Sequence, residues 1–346
     1  MALPLPISYP PMEALLVPEI PEGPQWQYEP KWDGFRCLAF RDGESVALQS
    51  KSGQPLARYF PEVVAAVRSV PADCFVLDGE IVIPVGKDLS FDDLLQRIHP
   101  AESRIRKLAA ELPALLVVFD LLVDDAGEPL VDMDLAKRRE RLEDFARKQF
   151  AGNGGIRLSP AARDVDSARK WLSSAGGTLD GIVAKRRDFT YAAGSGVRTG
   201  MQKVKLLRTA DCVVGGFRYA SKGRVVGSLL LGLYDEEGKL DHVGFCSGLT
   251  ARVREELTPR LEGLVEPPGF TGNAPGGPSR WSTERSGDWQ PLAGKLVVEV
   301  QYDHFTGGRF RHGTRLLRWR PDKAPRQCTR DQVARPRRKS PLALLG

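Results

Sequence analysis

Between Cys74 and Ile83 the chain runs as a strand-length apolar stretch with two carboxylates, Asp78 and Glu80, set in its middle. Such a run is expected to be buried, and a buried carboxylate without a partner is costly, so the fold must bring cations or hydrogen-bond donors to this strand. The run Leu115–Leu122 carries Asp120 behind Phe119 under the same constraint. Asp180-Gly181-Ile182-Val183-Ala184-Lys185 opens a strand with an acid and closes it with a lysine, and Lys203-Val204-Lys205 alternates so that both ammonium groups face one side. Each is commonplace alone, since Asp-Gly-Glu is usually a turn and Lys-Val-Lys usually a solvated strand face. Their ordered succession points to a shared polar site built at the ends of buried strands.

Upstream, Lys31-Trp32-Asp33-Gly34-Phe35-Arg36 places a lysine two residues before an acid and five before an arginine, with a glycine keeping the turn open. A lysine amine is a poor nucleophile while protonated and needs desolvation, nearby cations or a metal ion to become one. The later motifs supply these, and the arrangement suits attack on a nucleotide phosphate. Read alone, the hexapeptide also fits a β-hairpin entry, with Asp33-Gly34 as the turn, Trp32 and Phe35 in the core, and Lys31 and Arg36 as solvated charges.

The hydrophobic pattern is that of an α+β protein. Strands are expected at Gln25–Tyr28, Arg36–Arg41, Ser45–Ser50, Phe75–Ile83, Leu115–Val123, Gly181–Lys185 and Gln202–Leu206, with Asp42-Gly43 as a hairpin turn. Helical periodicity covers Phe60–Val67, Phe91–Ile98, Leu135–Phe150 and Val165–Ser174. Antiparallel sheets with packed helices are the simplest arrangement for residues 1–207. After that point come strands at Cys212–Tyr219, Gly227–Tyr234, His242–Cys246, Leu296–Tyr302 and Thr314–Trp319 with one helix at Ala251–Leu264. Five short strands and a helix suit a Greek-key barrel of the OB type over residues 208–346, a common nucleic-acid platform. Pro267–Arg285 reads as a long loop, Arg335–Lys339 as a mobile basic tail, and Leu206–Asp211 as a hinge.

Charge supports a polyanionic partner. From Leu207 onward Lys and Arg outnumber Asp and Glu by 23 to 15, whereas the residues before it hold 27 basic against 29 acidic. A basic module on a near-neutral body is what phosphate contacts favour. Five scattered cysteines without C-x-x-C spacing argue against a disulfide framework or structural zinc. The segment Met1–Val17, broken by Pro4, Pro6, Pro10 and Pro11, is no signal peptide, so a cytoplasmic, nucleoid-associated protein off the membrane is expected.

In order and content these motifs resemble those of the covalent nucleotidyltransferases, and among them the small bacterial ATP-dependent DNA ligases of the ligase C group. The resemblance implies an antiparallel-sheet adenylation domain followed by an OB-fold barrel. K-x-D-G-x-R matches Lys31, Asp33, Gly34 and Arg36, which makes Lys31 the residue adenylylated by ATP. Glu29 resembles the reader of the adenine amino group, Phe119 the ring stacked on adenine, and Glu80 the residue that holds the ribose hydroxyls. Val183 belongs to the same nucleotide-binding set. Lys203 and Lys205 fall where the family contacts the α-phosphate, and Asp180, with Glu80, where a metal ion (Mg²⁺ or Mn²⁺) is directed. Lys51 and Arg36 match positions that meet DNA, and Arg320, Asp322 and Lys323 match the R-x-D-K motif that orients the leaving pyrophosphate. Two positions depart from the usual pattern: Asp180 replaces glutamate, and Lys51 replaces arginine, which alone binds phosphate bidentately.

The implied reaction is the sealing of nicked double-stranded DNA by a monomer, with repair proteins as possible partners. AMP passes from Lys31 to the 5′-phosphate, and the 3′-hydroxyl then expels it. RNA ligases and mRNA capping enzymes share the nucleophile motif, but the Phe119-Asp120-Leu121-Leu122 run, the Gly181–Lys185 segment and the Arg318–Lys323 ending favour DNA ligase. The remaining alternative is a non-catalytic OB-fold nucleic-acid-binding protein.

Overall fold

The computed structural model describes residues 3–174, 179–194, 197–276, 288–334 and 340–345. The chain divides into two compact units, one of residues 1–206 with 336–346 and the other of residues 207–335. The second unit stops at Arg335, short of the chain end to which the sequence reading extended the barrel. The expected tail Arg335–Lys339 and the part of the Pro267–Arg285 loop from residue 277 lie outside the described residues.

The first unit is built on two sheets. A five-stranded sheet runs in the order Ser45–Ser50, Phe35–Asp42, Cys74–Val82, Leu115–Val123 and Ile156–Leu158, antiparallel except for its last pair. Helices Pro61–Arg68 and Leu135–Gln149 pack their apolar stripes, Val63 and Val67 from one and Leu142 and Phe145 from the other, into its largest apolar cluster. The second helix buries Leu135, Arg138, Arg139, Leu142, Phe145 and Ala146, the spacing of one helical face, and Asp134 caps it by accepting from the Lys137 amide. Asp120, one of the acids flagged in the apolar runs, is taken up here. Arg138 donates to both of its oxygens at 3.0 and 3.1 Å, and despite burial the arginine holds the carboxyl below its usual range.

A four-stranded sheet runs in the order Leu15–Leu16, Met201–Val204, Leu179–Arg186 and Trp26–Trp32. The strand Trp26–Trp32 pairs with Leu179–Arg186, whereas Phe35–Asp42 pairs within the five-stranded sheet. Asp33-Gly34 is therefore the crossover between two sheets and not a hairpin turn, which overturns that reading of the hexapeptide. The strands and helices named by the sequence reading agree with the structure to within a few residues at their ends, but the short strands Leu15–Leu16 and Ile156–Leu158 were not expected. One helix, Glu102–Glu111, was not anticipated, because only Ile105 and Ala109 are buried in an otherwise charged segment.

The second unit is a sheet in the order Leu240–Cys246, Val226–Tyr234, Arg208–Tyr219, Val297–Tyr302 and Arg315–Trp319. A bridge between Cys246 and Thr314 joins its first strand to the approach to its last, and the helix Ala251–Glu262 lies in sequence between the third and fourth strands. This is the OB arrangement. The first of its strands in sequence already begins at Arg208, so only Leu206 and Leu207 of the expected hinge are free of strand structure. No helix among the described residues is long and apolar enough to cross a membrane.

Candidate active site

Strand register assembles the site. Across the four-stranded sheet Glu29, Val183 and Lys203 are directly paired neighbours, and Lys31 pairs with Gly181 two residues along. Directly paired residues present their side chains on one face, so Glu29, Lys31, Val183 and Lys203 share a surface, with Lys205 following on the same alternation. Gly181 adopts φ +132°, and a Cβ there would stand 2.0 Å from the Val204 carbonyl oxygen. Its place between Lys31 and the Lys203–Lys205 strand is open only to glycine. On the five-stranded sheet Arg36 pairs with Glu80.

A cavity of about 750 Å³ is lined by residues of both sheets, among them Glu29, Lys31, Arg36, Lys51, Glu80, Phe119, Val183 and Lys203. Asp180 and Lys205 are not among its lining residues but are joined by ion pairs to one that is. Asp180 is ion-paired with Lys31 and, at 3.2 Å, with Lys205. Asp33 lies at the crossover and not in the wall, and Arg320, Asp322 and Lys323 belong to the second unit.

The buried acids find the partners that their burial demands. Arg36 donates to both Asp78 oxygens at 2.6 Å, and the Tyr191 hydroxyl donates to the second of them at 2.6 Å. Burial disfavours the Arg36 cation, but the Asp78 carboxylate outweighs it and holds the guanidinium above its usual range. Arg36 also lies 4.5 Å from the centre of the Phe119 ring. Glu80 is pushed up to about 7 by burial, with Lys31 and Arg36 pulling it back and Asp33 and Asp78 adding to the rise. Lys203 is lowered, first by burial and then by the neighbouring Lys31, Lys205 and Lys51.

Glu29 is held from two sides, by Lys185 at 2.7 Å and by Gln27, which donates at 2.9 Å. The Lys185 ammonium is also 4.5 Å from the Phe119 ring centre, so that ring has a cation from each of two strands against it. Lys51 is more exposed and pairs with Glu13 at 3.3 Å. In the second unit Arg320 contacts Asp322 and Asp211, and Lys323 contacts Asp211.

Three supporting residues escaped sequence reasoning as members of the site. Asp78 was marked only as an acid needing a partner, and Lys185 only as the end of a strand. Tyr191 sits in a loop 113 positions from the carboxylate that it meets, with no local signal to mark it.

The family model described as the ATP dependent DNA ligase domain matches residues 12–205, and the ATP dependent DNA ligase C terminal region matches residues 222–323. The chain is 42% identical to DNA ligase C of Mycobacterium tuberculosis, over 97% of this chain and 96% of that protein. It is 41% identical to DNA ligase C2 of Mycolicibacterium smegmatis, over 97% of each. A solved Lig E DNA ligase, studied for DNA binding with a minimal scaffold, aligns with 89% of this chain and 100% of its own at a TM-score of 0.55. At 15% identity that likeness speaks for the fold alone.

Proposed function

We propose that this chain, which belongs to the ATP-dependent DNA ligase family, seals nicks in duplex DNA in three phosphoryl-transfer steps that begin at Lys31. The observation that carries the reading is one cavity in which Lys31 and Lys203 from one sheet meet Arg36 and Glu80 from another. In the first step the Lys31 amine forms a bond to the α-phosphorus of ATP and the bond to pyrophosphate breaks, leaving AMP on the lysine. Lys203 and Lys205 stabilise the charge that builds on the α-phosphate. Glu29, Phe119 and Val183 hold the base, Glu80 accepts from the ribose hydroxyls, and Asp33 positions Lys31 through the crossover. Arg320, Asp322 and Lys323 orient the leaving pyrophosphate.

AMP then passes to the 5′-phosphate of a nick, where Arg36 and Lys51 hold the DNA. The adjacent 3′-hydroxyl attacks that phosphate and AMP leaves. Positioning and charge stabilisation supply most of the acceleration in such steps.

No group of three or more His, Cys, Asp and Glu gathers among the described residues. Two carboxylates, Asp180 and Glu80, with phosphate and water completing the shell, nevertheless suit Mg²⁺, which takes few protein ligands when it binds with a nucleotide. When bound, the ion supplies further neutralisation of phosphate charge. The setting is DNA repair in the cytoplasm, where the substrate lies.

Intact-mass measurement after incubation with ATP or GTP tests the reading. We expect an AMP adduct from ATP only, sealing of nicked DNA in preference to nicked RNA, and loss of both adduct and sealing in Lys31→Ala. Sealing by Lys31→Ala would overturn the assignment.

A further inference from the structure

Within the second unit, the cations of the R-x-D-K motif are organised by a residue that lies more than a hundred positions earlier. Asp211 sits in the strand Arg208–Tyr219 with its side chain largely buried. One of its oxygens accepts from Arg320 at 2.9 Å, and the other meets the Lys323 ammonium at 2.7 Å. The backbone of Asp211 is held as well: its amide donates to the Gln332 side-chain oxygen at 3.0 Å, and its carbonyl accepts from the Gln332 side-chain nitrogen at 3.2 Å. Asp322, the motif's own acid, is mostly exposed and contacts only Arg320 of the two cations, at 2.8 Å. Among the described residues Asp211 alone spans both.

A carboxylate that gives one oxygen to each of two cations sets their separation and direction. Arg and Lys side chains carry much rotamer freedom, and each lies here mostly out of solvent, so the shared anion spares them the cost of ordering when a phosphate arrives. We propose that Asp211 is a positioning residue for adenylylation, presenting Arg320 and Lys323 as a preset pair to the pyrophosphate of ATP. The inference rests on the role given to those two cations under Proposed function. It predicts an effect confined to the step that involves pyrophosphate, whereas a purely structural aspartate would affect every step through the stability of the barrel.

The test compares adenylylation by ATP with sealing of a nick that already carries AMP, using the full chain. In Asp211→Asn, which keeps the shape and removes the charge, adenylylation should fall about tenfold while sealing of the pre-adenylylated nick changes by less than about twofold. Lys323→Ala should also slow adenylylation, and the double variant should be no slower than the worse single one, the non-additivity expected of residues that act as a unit. Equal losses in both reactions, or additive effects in the double variant, would overturn the proposal. So would normal adenylylation by Asp211→Asn beside an impaired Lys323→Ala, which leaves the role of Lys323 intact. Normal adenylylation by Lys323→Ala would instead remove the underlying role and the proposal with it.

Discussion

Glu80 stands beside Arg36 across one strand pair and near Lys31, yet burial keeps its carboxyl at about 7, above the 4.5 it has in the open chain. Between those two values the folded chain holds a proton that the unfolded chain has released, so Glu80 makes stability decline as pH rises through that window. Its proposed task needs the opposite form, since only the carboxylate can accept from both ribose hydroxyls. Adenylylation at limiting ATP should therefore increase as pH passes about 7. In Glu80→Gln that rise should vanish, leaving a weaker and flatter profile; an inflection that survives the substitution belongs to another group. The other acid of this strand is the buried Asp78. It receives three hydrogen bonds from Arg36 and Tyr191, so its burial is matched by donors.

At the scale of elements, the decisive feature is the two-residue crossover at Asp33-Gly34. It puts the Lys31 strand in one sheet and the Arg36 strand in the other, so six residues of sequence, Lys31 to Arg36, span the cavity. Gly34 allows this because the backbone of the neighbouring strand is very close: a Cβ would lie 2.2 Å from the Ile81 carbonyl oxygen. A backbone atom inside a packed sheet cannot step aside as a flexible side-chain tip can. Gly34→Ala should therefore cost about 1–3 kcal/mol, read as a lower urea midpoint, and should slow adduct formation by separating the two strands. A variant with wild-type midpoint and rate would show that the crossover has slack.

Considered as a whole molecule, the chain returns to its first unit after completing the second. Leu342, Leu344 and Leu345 pack against a cluster that includes Trp32, Val82, Leu89, Val117, Phe119 and Leu179. Ser340 donates to the Lys87 carbonyl beside it. Trp32 and Phe119 also line the cavity between the two sheets, so the terminal turn supports two of its wall residues. Each leucine is only partly buried, and removal of residues 340–346 should cost on the order of 2–4 kcal/mol at ~25 cal/mol per Å² of apolar surface. The check is thermal or urea unfolding of the truncated chain, followed through the first unit. An unchanged transition would mean that the turn contributes nothing to this core.

The residues gathered at the candidate site were legible locally because the motifs that carry them depend on residue type and short spacing. Lys31 with Asp33, Gly34 and Arg36, Asp78 with Glu80, and Lys203 with Lys205 each lie within a few residues, and strand alternation sets which side they share. Acids inside apolar runs announced that partners must exist, because burial without them is too costly. Sequence alone could not name those partners. Tyr191 reaches Asp78, Arg138 reaches Asp120, and Asp211 reaches Arg320 and Lys323 through contacts set by sheet order and chain return. The crossover at Gly34 was equally hidden, since a hairpin and a passage between sheets present the same local turn residues. Only long-range pairing distinguishes them, and that pairing is decided by the packing of the whole fold.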